Sequence, residues 1–125
     1  MNDIKTVKVL HLSDTNEEDI TLLIDGHTVE CFINSCPNKI EIGKSYQVEL
    51  TLNLPDSYQI EKATHDTPLI AKTTKGYAYL LCGTLKNDIF ESFTDFQDED
   101  IHYDHPELND QLIRLEVDRI DVNFL

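Results

Sequence analysis

The sequence contains little of what most enzymes use to hold a phosphate or to activate a nucleophile. It has only four glycines in 125 residues. They stand where turns or strand starts require them, so no glycine-rich phosphate loop is present. A nucleophile elbow and a zinc-protease motif are also missing. We therefore expect a protein that is not an enzyme and that uses no cofactor.

Basic side chains are scarce as well. The chain carries 10 Lys and Arg against 24 Asp and Glu, a formal net charge of −14. Binding to nucleic acid or anionic lipid depends on cationic side chains, and a single-strand binder needs a cationic groove beside its stacking aromatics. We therefore expect neither a nucleic-acid partner nor a membrane. A surface this acidic would instead attract a basic protein, unless the charge serves only to keep the protein soluble.

Disulfides and membrane spans are not expected either. The three cysteines, Cys31, Cys36 and Cys82, are an odd number and a poor disulfide framework. Reduced thiols suit the cytoplasm. No apolar run approaches the ~20 residues of a membrane helix, and Met1–Lys5 lacks the basic-then-apolar order of a signal peptide. We expect a cytoplasmic protein in which Cys31 and Cys82 are buried in strands.

The clearest positive signal is a strand between Gly43 and Pro55. The apolar residues of one parity are Tyr46, Val48, Leu50, Leu52 and Leu54, and the polar residues of the other are Gln47, Glu49, Thr51 and Asn53. Successive side chains of a strand point to opposite faces. The alternation therefore predicts one buried face and one solvent face.

Turn residues between apolar runs predict two β-hairpins. Asp25-Gly26 separates two β-prone runs, and this dipeptide favours a type I′ turn because both of its residues need positive φ. A second hairpin joins residues 69–72 to residues 77–84 around residues 73–76. The arm 77–84 is apolar on both faces, which indicates a central strand.

The closing strand, residues 112–124, changes parity along its length. Ile113, Leu115 and Val117 share one parity, whereas Ile120, Val122 and Phe124 share the other. An alternating strand cannot change parity without an extra residue. The pattern therefore predicts a β-bulge near Asp118-Arg119 that bends the strand.

One segment has the spacing of a helix. Ile89, Phe90, Phe93 and Phe96 recur at intervals of three and four residues, which places them along one helical face. We expect a short helix that plugs one end of a barrel. A loop carrying these aromatic residues is the competing interpretation.

Together these elements favour a small Greek-key β-barrel resembling the OB-fold. Six or seven short strands, tight hairpins, one short helix and a bent closing strand fit that fold. A β-sandwich is the alternative, because periodicity does not distinguish two sheets from one closed sheet. No linker or repeat divides the chain, so we expect a single domain spanning residues 1–125.

The chain also resembles a group of small acidic bacterial proteins of uncharacterised function. Four strand-and-turn motifs carry the resemblance: Ile24-Asp25-Gly26, Cys31-Phe32 to Cys36-Pro37, Ile42 to Leu50, and Val117 to Val122. Such proteins look like products of genes that stand singly or beside toxin genes, as the genes of immunity proteins do. The resemblance therefore implies an immunity-type role, and it supplies no catalytic residue.

The segment from Lys86 to Asp110 is where we expect the function to lie. It contains nine acidic residues and one basic residue. Immunity proteins present carboxylates to a cationic cleft, and such charge pairing steers association and sets specificity. The predicted partner-binding residues, an acidic rim around aromatic anchors, are Asp95, Phe96, Asp98, Glu99, Asp100, Tyr103 and Asp104. The alternative is a solvated acidic loop without a partner.

Two other possibilities follow from the sequence. His102 and His105 stand three residues apart among carboxylates, and imidazole and carboxylate groups can ligate a divalent metal. That would make the protein a metal-binding or small-ligand-binding barrel, although no further ligands of fixed geometry are visible. A free edge strand could also convert a monomer into a weak homodimer.

Overall fold

The computed structural model describes residues 4–73 and 76–125, which fold mainly into β-strands. In chain order the strands are β1 (Ile4–Leu12), β2 (Asp19–Ile24), β3 (His27–Ser35), β4 (Ser45–Asn53), β5 (Ile60–Lys62), β6 (Ile70–Lys72), β7 (Tyr79–Lys86), β8 (Ile89–Glu91), β9 (Asp95–Gln97), β10 (Leu112–Val117) and β11 (Arg119–Phe124). An α-helix, α1 (Glu99–Asp104), and a 3-10 helix (Pro106–Leu108) lie between β9 and β10.

The prediction of a mostly-β protein with one short α-helix is confirmed for these ranges. The number of strands is larger than the expected six or seven, because β5, β6, β8 and β9 are only three residues long. Periodicity needs more residues than that to be recognised. No helix in the described ranges is long and apolar enough to cross a membrane.

The chain divides into two compact units, a division that the sequence did not reveal. The first unit comprises Met1–Thr51 and Ile120–Leu125, and the second comprises Leu52–Arg119. In sequence, the second unit is therefore inserted between the beginning and the end of the first.

The first unit is built on a closed five-stranded barrel with the strand order β1-β2-β3-β11-β4, in which β4 returns to pair with β1. β1, β2 and β3 form an antiparallel meander, whereas β11 runs parallel to β3. The last strand of the barrel therefore lies between the third and the fourth. These five strands therefore form the predicted small β-barrel and not the alternative β-sandwich.

Alternating burial along β4 defines the inner face of this part of the barrel. Val48 and Leu50 are buried, while Gln47, Glu49 and Thr51 are exposed, as the alternation predicted. The buried apolar residues of the first unit are Val7, Val9, Ile20, Leu22, Ile24, Val29, Cys31, Val48, Leu50, Ile120, Val122 and Phe124. Removing these side chains from water is the main favourable contribution to folding.

The Asp25-Gly26 turn joins β2 to β3 as predicted. Both residues have positive φ, 47° at Asp25 and 83° at Gly26, which is the geometry of a type I′ turn. Ile24 pairs with His27 across the turn, so the connection is a two-residue hairpin loop.

The second unit contains a six-stranded sheet with the path β5-β10-β7-β8-β9, and β6 also pairs with β7. β7 is central, because β10 pairs with it along residues 79–84 while β6 and β8 pair with its two halves. The prediction of a central strand here is confirmed. The second predicted hairpin is present as the β6–β7 pair, and its turn residues Thr74 and Lys75 lie outside the described residues.

The predicted helix over residues 89–96 is wrong, because this segment is a β-hairpin. β8 and β9 are antiparallel, with Phe90 opposite Phe96. Phe93 lies in the connection between them, and its ring packs edge-on against Phe96 at 5.6 Å. Like a helix, a tight hairpin places residues at this spacing on one face, because alternate strand residues and a turn residue lie on the same side. The three- and four-residue spacing therefore does not distinguish it from a helix.

The parity change in the closing strand marks a change of sheet rather than a β-bulge. β10 ends at Val117 and pairs with β7, whereas β11 begins at Arg119 and belongs to the barrel. Asp118 is the residue between them, and its backbone N–H donates to the Asn53 carbonyl at 2.7 Å. The position of the extra residue is confirmed, but two strands replace the single bent strand that we expected.

Replacing Gly83 should test how closely β7 approaches the end of β8. A Cβ on Gly83 would lie 2.7 Å from the Ser92 Cα and closer still to the Glu91 carbonyl, so backbone atoms would have to move. We expect Gly83→Ala to lower the free energy of unfolding by about 2 kcal/mol, within the range for overpacked cores.

The control for Gly83→Ala is Gly76→Asn. A Cβ there meets nothing within 4 Å, and Asn tolerates the left-handed φ of 52° at this position. Urea denaturation measures the stability of both variants. If Gly83→Ala were no less stable than Gly76→Asn, the close approach of the two strands would be disproved.

Candidate functional site

The acidic segment folds around α1, which is capped at its start. The Asp98 carboxylate accepts hydrogen bonds from the backbone N–H groups of Asp100 and Ile101, at 3.0 and 3.3 Å, as an N-cap residue does. Glu99 and Asp100 occupy the first turn, where negative charge interacts favourably with the helix dipole. Part of the acidity of this segment therefore stabilises the helix itself.

Contacts at both ends of α1 fix its position within the second unit. Ile101, in the first turn, is fully buried. Near the other end, the Tyr58 hydroxyl donates to Asp104 Oδ2 at 3.0 Å, and the Tyr58 ring lies edge-on to His105 at 5.7 Å. Burial, followed by the adjacent Asp104 carboxylate, raises the pKa of Tyr58. The phenol therefore stays protonated and remains a hydrogen-bond donor at neutral pH.

Beside α1 lies an open concavity of about 500 Å³ with acidic walls. The lining residues are Asn87, Asp88, Glu99, Asp100, His102 and Tyr103. The Asp98 backbone N–H donates to the Asp88 carbonyl at 2.8 Å, which holds the β7–β8 turn next to the start of the helix. Tyr103 is 84% exposed. Three carboxylates thus line the same concavity as an aromatic side chain that a cationic group could cover.

The structure places most of the predicted partner-binding residues on α1 and its flanks. The exposed ones are Asp95, Glu99, Asp100, Tyr103 and Asp104, and the half-buried one is the cap residue Asp98. Phe96 is different, because its side chain is only 1% exposed and lies in the core. It cannot be the surface anchor that the sequence predicted, and Tyr103 is the predicted aromatic residue that is exposed.

Three residues of the concavity were not predicted as partner-binding residues: Asn87, Asp88 and His102, of which His102 was considered only as a metal ligand. The available signal was the Asn87-Asp88 pair between two apolar runs, since Asn and Asp favour two-residue turns. Asn87 has a φ of 55°, as such turns require. The helical interpretation of the residues that follow hid this turn.

Burial, hydrogen bonds and neighbouring charges all act on the pKa of the cap residue Asp98. Burial is the largest cause that raises the pKa of Asp98, and the Asp100 and Asp104 carboxylates raise it further, while the two capping hydrogen bonds lower it. Ionised Asp98 is therefore disfavoured by its surroundings. A cation bound close to this carboxylate would offset part of that effect.

The described residues assemble neither a metal site nor a pair of thiols. Among residues 4–73 and 76–125, no group of three or more His, Cys, Asp or Glu side chains is arranged to hold a metal ion. All three cysteines are free, with Cys31 and Cys82 buried and Cys36 exposed, which confirms the predicted burial of the first two. Burial raises the pKa of both buried thiols, and it keeps them unreactive.

A closed five-stranded barrel, a second sheet and an acidic helical segment define a small acidic β-barrel protein. The chain belongs to the family described as Uncharacterised conserved protein UCP019853, whose model matches residues 3–125. This agrees with the resemblance to proteins of uncharacterised function, and it adds nothing about immunity proteins. Neither the curated proteins nor the solved structures include a significant match to the chain.

Substitution of Asp98 should separate the contribution of the cap from the cost of its charge. Asp98→Asn keeps the acceptor oxygen without the charge, whereas Asp98→Ala removes the acceptor. The pKa of Asp98 is raised in the folded state, so its contribution to stability falls as pH rises from the unfolded-state value of about 3.9 through the raised folded-state value. At neutral pH we expect Asp98→Asn to be more stable than the native protein and Asp98→Ala to lose about 1 kcal/mol.

Urea denaturation at several pH values measures both effects. The advantage of Asp98→Asn should vanish below about pH 3.9, where the native carboxyl is neutral in the folded and unfolded states. An Asn variant that is less stable than the native protein at neutral pH would show that the ionised cap is favourable, contrary to the prediction.

Proposed function

We propose that this is a non-enzymatic cytoplasmic binding protein that docks a basic partner protein through one acidic face. We define the acidic face as Asp88, Asp95, Glu99, Asp100, Tyr103 and Asp104. The observation that carries the proposal is the concavity beside α1, which three carboxylates line together with the exposed Tyr103. An immunity-type inhibitor of a cationic toxin is the function that such a face fits best.

The charge distribution supports a cationic partner. Lys86, the only basic residue between positions 86 and 110, lies 4.0 Å from Glu91, and it is not among the residues that line the concavity. The excess negative charge of this segment accelerates encounter with a cationic surface and disfavours other partners. Individual exposed ion pairs contribute little. Most of the affinity would therefore come from groups packed around Tyr103 and into the concavity.

The order of the segment supports a docking face over a solvated loop. Buried Ile101, the Asp98 cap and the Tyr58–Asp104 hydrogen bond hold α1 in one position. A face that is ordered before binding loses less conformational entropy when a partner docks. The acidic residues of α1 are therefore presented as a preformed surface.

The barrel topology supports an OB-like fold without implying nucleic-acid binding. With β11 between β3 and β4, the five strands follow a Greek-key path, as the OB-fold barrel does. A fold does not determine function, and a net charge of −14 opposes approach to a phosphate backbone. The cytoplasmic location is proposed because three free thiols suit a reducing compartment.

Charge reversal on the acidic face tests the proposal. Tagged protein is incubated with a lysate of its native host, and a basic protein should be captured at low ionic strength and captured less efficiently at about 0.5 M salt, because salt screens exposed charges. The triple variant Asp88→Lys, Glu99→Lys, Asp100→Lys should abolish that capture. Circular dichroism and a thermal melt establish that the variant is folded.

The matched control reverses three acidic residues outside the face: Glu49, Asp56 and Asp66, all exposed. It changes the net charge by the same amount and should leave capture nearly intact. Equal loss in both triple variants would show an unspecific charge effect. Capture that survives in the first variant, or the absence of any basic partner, would likewise reject the acidic face as a docking surface.

A further inference from the structure

A second concavity, of about 530 Å³, lies in the first unit. It is formed by the end of β1, the β1–β2 connection, and the end of β3 with the segment that follows it. The lining residues that matter for its chemistry are Leu12, Glu17, Ile33, Cys36, Lys39 and Ile40. Its volume falls within the range of sites that bind small molecules.

The walls of this concavity are held by backbone hydrogen bonds. The Ile33 N–H donates to the Glu18 carbonyl at 2.7 Å, and the Ser13 N–H donates to the Asp19 carbonyl at 3.2 Å. The Asn16 N–H also donates to the Ser13 hydroxyl at 3.2 Å. The connection that carries Glu17 is therefore fixed against β3, which makes the concavity a preformed feature.

The lining combines an aliphatic surface with one cation. Leu12, Ile33 and Ile40 are half-buried, so each leaves apolar area open to a ligand. Lys39 directly precedes Ile40 in the segment after β3. Within residues 4–73 and 76–125 its ammonium group forms no ion pair, unlike those of Lys44 and Lys86. A few polar groups beside a mainly apolar surface are typical of a small-ligand site.

We propose that this concavity binds a small amphipathic anion, a carboxylate whose aliphatic or aromatic part covers Leu12, Ile33 and Ile40 and whose charged end meets Lys39. A cationic ligand would be attracted to carboxylates over the whole surface of a chain with net charge −14. An anion is repelled by most of that surface, so the lysine beside the apolar lining would favour an anion at this concavity. The Glu17 carboxylate, which also lines the concavity, opposes the anion and weakens its binding.

Cys36 provides a local reporter for the test. It lines the concavity and is exposed, while Cys31 and Cys82 are buried. The uncharged reagent 4,4′-dithiodipyridine should therefore modify one thiol per folded chain, at a rate that falls when the concavity is occupied. The two buried thiols stay unmodified only in folded protein, so the same experiment verifies the fold of every variant.

The probes are octanoate, its uncharged counterpart 1-octanol and its cationic counterpart octylamine. We expect protection of Cys36 at the lowest concentration with octanoate and at the highest with octylamine. Lys39→Gln should weaken protection by octanoate about threefold, as for a partly exposed ion pair, and should leave protection by 1-octanol unchanged. Glu17→Gln, which removes the opposing charge, should strengthen protection by octanoate.

The proposal fails if octanoate does not slow the reaction of Cys36. It also fails if 1-octanol or octylamine protects as well as octanoate, since the site would then show no preference for an anion. Loss of octanoate protection in Glu17→Gln, or unchanged protection in Lys39→Gln, would show that the charges act differently from the arrangement described above. These outcomes do not depend on whether the acidic face binds a partner.

Discussion

The parallel pairing of β11 with β3 is the interaction on which the architecture of this chain depends. It places Asp121 beside Phe32 and Val122 beside Ile33, and with β4 on its other side β11 closes the barrel. Parallel neighbours cannot be joined by a tight turn and need a connection that leaves the sheet and returns. Here that connection contains β4 and the whole second unit. The acidic segment therefore belongs to an insertion within the barrel sequence, which its sequence neighbours alone do not indicate.

Within that insertion, the carboxylates of the acidic segment have opposing physical effects. Asp98, Glu99 and Asp100 favour the start of α1 through the cap and the helix dipole. The same segment crowds negative charge near Asp98, a half-buried carboxyl whose pKa is raised mainly by burial and to a smaller extent by the Asp100 and Asp104 carboxylates. A short helix tolerates this crowding because Ile101 is buried and Tyr58 holds the other end. Stability of the helix and the concentration of negative charge on its surface are thus two results of one arrangement.

The features that the sequence predicts well are those fixed by near neighbours. Alternation identified β4, and the φ requirements of Asp25-Gly26 identified the β2–β3 hairpin. The parity change located Asp118, but it could not show that the chain moves to another sheet there, because the partners of β10 and β11 are distant in sequence. The helix predicted for residues 89–96 was wrong for a related reason, because the spacing of the aromatic residues does not reveal that β8 pairs with β9.

The candidate site was only partly predictable for the same physical reason. The sequence composition located the acidic segment, and most of its predicted site residues are exposed in the structure. Phe96, however, is a core residue paired with Phe90 across β8 and β9. Which aromatic side chain faces solvent depends on strand pairing, and three-residue strands leave too short a pattern to read. The second concavity is formed by two connections that are separated in sequence, with Glu17 on one and Lys39 on the other. No local sequence motif therefore predicts it.

The hydrogen bond from the Asp118 N–H to the Asn53 carbonyl has a consequence for folding. These residues lie near the two ends of the second unit. The entropy lost when a flexible connection is closed grows with the logarithm of its length. Once the second unit has folded, however, its ends are already together, and β11 reaches β3 as if only a short loop separated it from β4. The length of the insertion then adds little to the entropic barrier of barrel closure, provided that the second unit folds first.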